Sequence, residues 1–275
     1  MSKEQPPGML RQRPALSVVV PAWNEAVRIG ACLDQLEACL SHRGLEIIVV
    51  DDGSTDGTAE AAQAWADAHP GRRTEVLHQP HGGKGRAVYA GVARSRGADV
   101  AYIDADLDIP AGEVDRLLAW RDASGAAVVV GSKRRLAWRR LPRPLPRRVL
   151  SVTFSWVVAL LFHLPVRDTQ TGVKLFPGPW LRAATRQAAI SGFLFDVELL
   201  ALAARDGLSM AELPVTVVRR REANRIGLGT VWCCLLELGA VVRAVRRNGA
   251  PCPRATPRRR AARHAAPAGH WASGG

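Results

Sequence analysis

The first 131 residues alternate between short strand-like stretches and segments with helical spacing, and no other feature constrains the fold as strongly. A strand that is apolar along its whole length is buried on both faces, which is typical of a parallel sheet covered by helices on each side. The alternation therefore predicts a doubly wound α/β domain. The predicted strands are LSVVV (16–20), EIIVV (46–50), TEVLH (74–78), DVAYI (99–103) and AAVVVG (126–131).

Helices are predicted between and after these strands. In Glu25–Leu40 the apolar residues recur at intervals of three and four, which places them on one helix face. The same argument predicts further helices over 55–68, 85–95, 111–123, 149–163, 192–205 and 228–247. Two later stretches, VKLF (173–176) and MAELPVTVV (210–218), are predicted to be strands.

The chain has 275 residues, of which 47% are hydrophobic, enough for one sizeable core. We expect a polar leader over 1–14, one domain over 15–248 and a disordered Pro/Ala/Arg/Gly-rich tail over 249–275. No signal-peptide pattern is visible, and no stretch reaches the ~20 apolar residues that span a bilayer. The five cysteines are odd in number and form no CxxC pair, which indicates reduced thiols in a cytoplasmic protein.

The formal net charge of +13 is concentrated in two segments. Lys133–Arg148 and the stretch from Arg243 to the C-terminus each contain eight Lys or Arg and no acidic residue. Such runs suit phosphates, anionic lipid headgroups or nucleic acid, and they also occur as solvated surface. The apolar segments 149–166 and 231–242 adjoin these basic residues. Each is either a core helix with charged ends or an amphipathic helix at a membrane surface.

Ligands of a doubly wound sheet bind outside the carboxyl ends of the strands, so the residues that follow each strand are site candidates. After the second strand, VVDDGSTDGT places Asp51 and Asp52 at that edge, before a Gly-Ser turn. A turn followed by a helix cap accounts for Gly53, Ser54 and Asp56. It does not account for two adjacent carboxylates, which can accept hydrogen bonds from a base N–H or a ribose hydroxyl.

Two further strand ends carry polar residues. In PAWNE, after the first strand, Pro21 stiffens the exit and Asn24 or Glu25 can cap the next helix. In HGGKGRA, after the third strand, Lys84 and Arg86 place cations near a helix N-terminus, where anionic groups bind. The spacing of this segment matches neither a Walker A loop nor a dinucleotide-binding fingerprint.

The fourth strand ends in YIDADLDIP, which carries three aspartates at alternate positions. If the strand continues, its period of two places Asp104, Asp106 and Asp108 on one side. Three carboxylates packed together repel one another unless a cation or hydrogen-bond donors offset them. Mg²⁺ or Mn²⁺ with oxygen ligands would do so, and would keep positions for water and substrate phosphates. A solvated turn is the alternative, and the neighbouring polar strand ends favour the metal.

Six segments occur in order along the chain, and together they resemble family 2 glycosyltransferases with the GT-A fold. They are VVVPAWNE, IIVVDDGSTDGT, HGGKGRAV, YIDADLDIP, DTQTGVKLF and GFLFDVELL. The resemblance covers residues 15–225 and is strongest to the dolichyl- or polyprenyl-phosphate sugar synthases, especially those that make glucosyl carriers. It implies a mostly parallel sheet with added C-terminal amphipathic helices. It also implies a nucleotide-sugar half over 15–131 and an acceptor half over 132–248.

The resemblance implies a hexosyltransferase that inverts the anomeric configuration, uses Mg²⁺ or Mn²⁺, and takes UDP-glucose or GDP-mannose as its donor. Asp104 and Asp106 are the implied metal ligands, and Asp106 is also implied in catalysis. Asp108 stands where some relatives have Gln or Ser. The residues implied to bind the nucleotide sugar are Pro21, Asn24, Glu25, Asp52, Lys84 and Asp104, with Asp52 on the base.

The acceptor end rests on the same resemblance. Asp168, in DTQTG, matches an acidic position that acts as a base or organises the acceptor. Arg134, Arg135 and Arg225 are the implied partners of the acceptor or leaving phosphate. A hydroxyl acceptor needs a general base, whereas a phosphate monoester, with a second pKa of about 6, is largely ionised at neutral pH. With a lipid phosphate we therefore expect Asp168 to orient groups rather than remove a proton.

The leading hypothesis is transfer of a hexose to a polyprenyl or dolichyl phosphate by an enzyme that contacts the inner face of the cell membrane peripherally. Two departures from the family favour an alternative, a soluble hydroxyl acceptor such as a metabolite or natural product. REANR (221–225) stands where relatives often have Gly-Ser-Lys, and the C-terminal membrane helices of some relatives are not seen in this sequence.

Two hypotheses come from other classes. One is a nucleotide-sugar-binding protein without catalysis. The other is a nucleic-acid-binding protein that uses the basic tail, but the tail carries only Trp271 as an aromatic residue and 15–225 matches no nucleic-acid module. No specific nucleic-acid partner is therefore expected, and the sequence leaves the oligomeric state open.

Overall fold

The computed structural model describes residues 13–133, 158, 160–218 and 228–247, with side chains of the last stretch from 237 to 246. The strands are β1 (Leu16–Ala22), β2 (Leu45–Asp51), β3 (Arg73–His78), β4 (Asp99–Ile103), β5 (Val128–Ser132), β6 (Val173–Pro177) and β7 (Met210–Pro214). The helices are α1 (Ala26–Leu40), α2 (Thr58–Ala68), α3 (Lys84–Arg94), α4 (Gly112–Ser124), α5 (Gly178–Gln187), α6 (Phe195–Arg205) and α7 (Leu228–Arg247). Most of the leader, the basic segment after Lys133, most of the helix predicted over 149–163 and the tail lie outside the described residues.

The described strands form one sheet in the order β3-β2-β1-β4-β6-β5-β7. Strands β1 to β4 are parallel where they pair, and β7 is parallel to β5. Among the described strands only β6 is reversed, and it is antiparallel to both of its neighbours, β4 and β5. The prediction of a mostly parallel, doubly wound sheet is confirmed. Strands β2 and β3 lie on one side of β1, and β4 lies on the other side. The direction in which strands are added to the sheet therefore reverses at β1, which is where such sheets bind ligands.

Successive residues of the central strands alternate between two apolar layers, one on each face of the sheet. Val19 and Tyr102 belong to the layer covered by α3, α5, α6 and α7. Val18 and Ile103 belong to the layer covered by α1, α2 and α4. Because both faces are buried, most positions in these strands favour an apolar side chain, which explains why their sequences are largely apolar.

The strand predicted to reach Val218 ends at Pro214. Beyond it, only the amide of Val215 still bonds to β5, through the carbonyl of Ser132 at 3.0 Å. The amide of Thr216 donates instead to Glu113 Oε1 at 3.0 Å, and the amide of Val218 to the carbonyl of Asp108 at 3.0 Å. The apolar run therefore continues past the sheet and follows the loop after β4.

Helix α5 was not predicted from the sequence. It has ten residues, a proline in its first turn, and a face formed by Trp180, Leu181 and Ala184 that is buried in the apolar layer. A helix of ten residues, fewer than three turns, gives only a short periodic signal, so packing against the sheet, rather than local propensity, defines it.

Helix α7 is amphipathic over its described side chains. Val241 and Ala244, three residues apart, are buried, whereas Arg243 and Arg246 are exposed. The buried side joins the apolar layer that also contains Leu199 of α6. Among the described helices none is both long enough and apolar enough to cross a membrane.

Two helix glycines predict opposite changes in stability. A Cβ on Gly91 in α3 would overlap Val19 Cγ1 and lie 3.0 Å from Val50 Cγ2, whereas a Cβ on Gly30 in α1 meets nothing within 4 Å. We expect Gly91→Ala to lower the free energy of unfolding by about 1–3 kcal/mol through overpacking. Gly30→Ala should raise it by about 0.5–1 kcal/mol through helix propensity. Urea unfolding followed by circular dichroism measures both, and equal effects would contradict the close packing of α3 on β1.

Candidate active site

A cleft of about 270 Å³ opens at the carboxyl edge of the sheet. Its walls come from the segments that follow β1, β2 and β4 and from the start of α3, so it lies where the winding of the sheet changes direction. The residues that line it are Pro21, Ala22, Trp23, Glu25, Asp52, His81, Gly83, Lys84, Ala87, Asp104, Ala105 and Asp106. Of the residues predicted to bind the nucleotide sugar, Asn24 is therefore the one that does not line the cleft.

Asn24 joins the loop after β1 to the loop after β2. Its backbone has φ +54°, its side-chain Oδ1 accepts from the amide of Thr55 at 3.0 Å, and its own amide donates to Ser54 Oγ at 2.9 Å. Glu25 occupies the N-cap position of α1, as one of the two predicted alternatives had it, but its side chain makes no capping hydrogen bond. The carboxylate of Asp56 accepts from the amide of Ala26 at 3.1 Å instead.

Glu25 is 5% exposed at the start of α1 and still lines the cleft. Its carboxylate pairs with Arg28 at 2.8 Å, and its amide donates to Thr58 Oγ1 at 2.8 Å. The loops after β1 and β2 thus hold each other through side-chain bonds, so the wall beside β1 is fixed by polar contacts.

Asp52 is 3% exposed, and its carboxylate organises the loop before α3. Oδ1 accepts from the amide of Gly82 at 3.0 Å and from Gln79 Nε2 at 2.7 Å, while Oδ2 accepts from the amide of Gly83 at 2.8 Å. His81 Nδ1 also lies 2.9 Å from Oδ2. Part of this carboxylate reaches the cleft, but most of its hydrogen-bonding capacity holds the glycine loop in place.

Lys84 and Asp104 form an ion pair across the cleft, with 2.5 Å between Nζ and Oδ1. The two side chains are 34% and 35% exposed, so both are open to a ligand. Burial alone would lower the pKa of Lys84, but the carboxylates of Asp104, Asp196 and Asp106 outweigh it and raise the pKa above its ordinary value. Lys84 therefore stays cationic at neutral pH. Arg86, its predicted companion, does not line the cleft but lies over Gly82.

The three aspartates do not lie on an extended strand, because β4 ends at Ile103 and the chain then turns. Leu107 has φ +59°, and Asp106 Oδ1 accepts from the amide of Asp108 at 3.0 Å, which closes the turn. Asp104 and Asp106 line the cleft, whereas Asp108 does not. The turn therefore separates the three carboxylates into two that face the cleft and one that does not.

A divalent metal would find two protein carboxylates here. Among the described residues, no group of three or more His, Cys, Asp or Glu side chains is close enough to hold a metal ion. Mg²⁺ and Mn²⁺ accept one or two carboxylates when water and substrate phosphates complete their coordination. The pair Asp104 and Asp106 therefore fits a cation bound together with a diphosphate, and does not fit a cation enclosed by protein ligands alone.

Asp168 lies in the segment that leads into β6. Its Oδ2 accepts from the backbone amide of Lys133 at 2.8 Å, and it is not among the residues that line the cleft. Gly172, four residues later, lies directly against Asp104, since a Cβ there would overlap that carboxylate. The predicted phosphate-binding residues Arg134, Arg135 and Arg225 lie outside the described residues.

Sequence reasoning missed Trp23 and His81. Their rings lie 4.9 Å apart between centroids, both line the cleft, and Trp23 is 52% exposed. An exposed tryptophan directly after a strand that ends at the ligand-binding edge was the available signal. Such a ring offers an apolar face on which a planar group can stack.

Comparison with known proteins agrees with this geometry. The sequence pattern of the family described as glycosyl transferase family 2 matches residues 17–187, well over half of the chain. The chain belongs to glycosyl transferase family 2. It is a glycosyltransferase with the GT-A fold, and the first four of the six ordered segments that predicted this contribute residues to its cleft.

Relatives of this family 2 glycosyltransferase include two dolichyl-phosphate beta-glucosyltransferases. One, from Trichomonas vaginalis, is 36% identical over 222 residues, which cover 76% of this chain and 64% of the relative. The other, from Drosophila melanogaster, is 34% identical over 237 residues, which cover 80% of this chain and 71% of the relative. The chain thus spans somewhat less than two thirds of the length of the first of them.

Solved structures show the same fold. Glucosyl-3-phosphoglycerate synthase from Mycobacterium tuberculosis, solved with Mn²⁺, UDP and glucosyl-3-phosphoglycerate, superposes with a TM-score of 0.58 at 25% identity, over 85% of this chain and 77% of that one. A mannosyltransferase from Pyrobaculum calidifontis, solved with GDP-Man and Mn²⁺, superposes with a TM-score of 0.53 at 23% identity, over 77% of this chain and 59% of that one.

The ion pair of Lys84 predicts how diphosphate binding depends on this residue. We expect Lys84→Met to raise the dissociation constant of UDP at least about tenfold, since a hydrogen bond to a charged group contributes roughly 1.5–3 kcal/mol. Arg86→Met, which removes a cation two residues away outside the cleft, is the matched control and should change it less than about threefold. Isothermal titration calorimetry measures both, and equal losses would show that only the general positive charge matters.

Proposed function

We propose that this glycosyltransferase transfers a hexose from UDP-glucose or GDP-mannose to a polyprenyl or dolichyl phosphate, with inversion at the anomeric carbon and with a divalent cation. The observation that carries the proposal is the cleft itself, in which Asp104, Asp106 and Lys84 meet at the carboxyl edge of the sheet. Two carboxylates and one ammonium suit a diphosphate that arrives with Mg²⁺ or Mn²⁺. The two dolichyl-phosphate beta-glucosyltransferases among the relatives support the choice of acceptor.

The nucleoside would lie on the β1 and β2 side of the cleft. Trp23 offers a half-exposed ring for stacking with the base, and Pro21 and Glu25 line the same wall. Asp52 holds the backbone of Gly82 and Gly83, so the loop beside the base is fixed before the donor binds. Asn24 acts one step further away, because it fixes the loop that carries Asp52.

The diphosphate would lie between α3 and the turn after β4. Lys84 would bond to its oxygens, and Asp104 and Asp106 would hold the divalent cation. That cation would supply stabilisation of the negative charge that develops on the leaving diphosphate. Because Lys84 and Asp104 are already paired at 2.5 Å, donor binding exchanges one charge contact for another rather than exposing an unpaired carboxylate.

Transfer itself would form a bond between an acceptor oxygen and C1 of the sugar while the bond from C1 to the nucleoside diphosphate breaks. A phosphate monoester with a second pKa of about 6 is largely anionic at neutral pH, so its oxygen needs no base. Asp168 accepts from the amide of Lys133 at 2.8 Å, which suits a residue that orients the acceptor side of the site. Arg134, Arg135 and Arg225 are proposed partners of the acceptor or leaving phosphate.

A lipid acceptor places the enzyme at a membrane surface, and we propose peripheral contact at the inner face of the cell membrane. Leu160 is 77% exposed and Leu161 is 43% exposed, and they follow in the sequence, with Leu160 twelve positions after Arg148, the segment 133–148 that carries eight basic residues. Exposed apolar side chains with basic residues nearby in the sequence suit an interface with anionic lipid.

A second candidate is a soluble acceptor. It is favoured by the structural similarity to glucosyl-3-phosphoglycerate synthase, which was solved with glucosyl-3-phosphoglycerate bound. A hydroxyl acceptor of that kind would need a general base, and Asp168 would then have to remove a proton rather than orient groups.

Transfer assays with both acceptor classes test the proposal. Purified protein with Mn²⁺ or Mg²⁺ is offered UDP-glucose or GDP-mannose together with a short polyprenyl phosphate or with 3-phosphoglycerate. We expect glycosylated lipid phosphate as the product. Its rate of formation should fall at least about a hundredfold in Asp104→Ala and Asp106→Ala, because each removes a charged contact to the diphosphate end. Asp122→Ala, which removes a surface carboxylate on α4, is the control. Product on 3-phosphoglycerate alone would favour the second candidate.

The pH dependence of Asp168→Asn separates the two acceptors in a different way. Asparagine keeps the oxygen that accepts from Lys133 but cannot act as a base. With a lipid phosphate we expect kcat to stay within about tenfold of the wild type and to change little between about pH 7 and about pH 9, because the acceptor is already ionised. A loss of roughly a hundredfold or more, with the wild-type pH dependence abolished, would instead identify Asp168 as a general base.

A further inference from the structure

Two layers of side chains follow one another along β4 and β6, on the face of the sheet covered by α3 and α6. Tyr102 lies opposite Lys174 in the antiparallel pairing, and Ile103 lies opposite Val173. Asp104 follows Ile103 directly, where the chain leaves the strand and turns, so it lies just beyond the layer that contains Tyr102. A Cβ on Gly172 would overlap the carboxylate of Asp104, which places Gly172 directly against it.

The lower layer is closed by Asp196, from the first turn of α6. Lys174 Nζ lies 2.8 Å from Asp196 Oδ1, and the hydroxyl of Tyr102 donates to the same oxygen. Tyr102 and Lys174 are fully buried and Asp196 is 4% exposed. We call these three residues the buried triad. None of them lines the cleft.

A contribution to stability alone does not explain the buried triad. Burial lowers the pKa of Lys174, and the nearby carboxylate of Asp196 only partly offsets this. Burial also raises the pKa of Tyr102 well above its ordinary value, and Asp196 raises it further. Apolar residues of similar volume commonly stabilise a core as well as a buried ion pair does, because the pair loses its hydration. The position of the triad, one layer beneath Asp104, suggests another role.

Contacts lead from the triad to both sides of Asp104. On one side, Lys174 Nζ donates to the carbonyl of Thr171 at 2.7 Å, and the next residue is Gly172, which lies against the Asp104 carboxylate. On the other side, the start of α6 packs on the start of α3. A Cβ on Gly85 would lie 2.5 Å from the carbonyl oxygen of Ser191 and 2.8 Å from Phe195 Cβ.

Lys84 connects these contacts to the cleft, since it precedes Gly85 in the chain and its Nζ lies 2.5 Å from Asp104 Oδ1. We propose that Asp196 and Lys174 are positioning residues: their buried pair fixes Gly172 and the start of α3 on opposite sides of Asp104, and so sets where that carboxylate lies in the cleft. The inference rests on the proposed function in one respect, that Asp104 then holds a divalent cation.

Three variants of the buried triad and one control variant test the inference. Asp196→Asn removes the charge and keeps the shape. The double variant Lys174→Met with Asp196→Leu removes both charges at once, which avoids leaving one buried charge unpaired. The matched control is Asp206→Asn, at the other end of α6, where a buried aspartate accepts from Trp180 Nε1 at 2.9 Å. Tyr102→Phe, which removes one hydroxyl, is the mildest change and covers the case in which the other variants do not fold.

Two measurements are made on each folded variant. The first is the dissociation constant of Mn²⁺ in the presence of UDP, from the electron paramagnetic resonance signal of free Mn²⁺. The second is the ¹³C NMR signal of Lys84 in protein labelled with ε-¹³C-lysine, and it needs neither metal nor nucleotide. The chain has only four lysines, Lys3, Lys84, Lys133 and Lys174, so the Lys84 signal is assigned by Lys84→Met.

We expect the triad variants to raise the Mn²⁺ dissociation constant at least about tenfold and to move the Lys84 signal toward that of a solvent-exposed lysine. Asp206→Asn should change neither, even where it lowers the melting temperature as much. An unchanged Lys84 signal and unchanged Mn²⁺ affinity in the folded double variant, or in Tyr102→Phe if that alone folds, would overturn the inference. If the wild type binds no Mn²⁺ with UDP, the metal part of the proposed function fails, and the Lys84 signal alone decides the positioning role.

Discussion

The crowding of carboxylates at one edge of the sheet is the constraint on which the rest of the site depends. Parallel strands bring their carboxyl ends to the same edge, and here two of those ends carry aspartates. Three of the carboxylates have partners from other segments. Asp51 pairs with His78, Asp52 accepts from the amides of Gly82 and Gly83, and Asp104 pairs with Lys84. The loops of the site are therefore arranged around charge compensation more than around apolar packing.

The sheet and most of the cleft could be predicted from the sequence for a physical reason. Strands buried on both faces leave an apolar signal that needs no knowledge of distant residues, and the edge where they end follows from the handedness of the fold. Asp52, Lys84, Asp104 and Asp106 were found this way, because each immediately follows a strand or begins the next helix and each lines the cleft. The residue pattern indicated a divalent cation at the aspartates and an anionic group at Lys84, and the family resemblance identified the ligand as a nucleotide sugar.

Features that depend on partners far apart in the chain could not be predicted. The cap of α1 comes from Asp56, thirty positions beyond the amide that it accepts from, and no local pattern connects the two. The three aspartates share one side only if β4 continues, and the left-handed backbone of Leu107 instead turns the chain away. Lys174 and Asp196 each lie in a segment that carries the family resemblance, yet only the fold shows that they meet in the core.

The hydrogen bond between Lys133 and Asp168 has a consequence for how this enzyme family can diversify. It joins two residues that are 35 positions apart, one just after β5 and the other just before β6. The hydrogen bond holds the two ends of the intervening stretch together beside the sheet, so a stretch of different length or composition could be inserted there at a small entropic cost, without changing the register of either strand. The donor side of the site can therefore stay constant while the stretch between Lys133 and Asp168 varies.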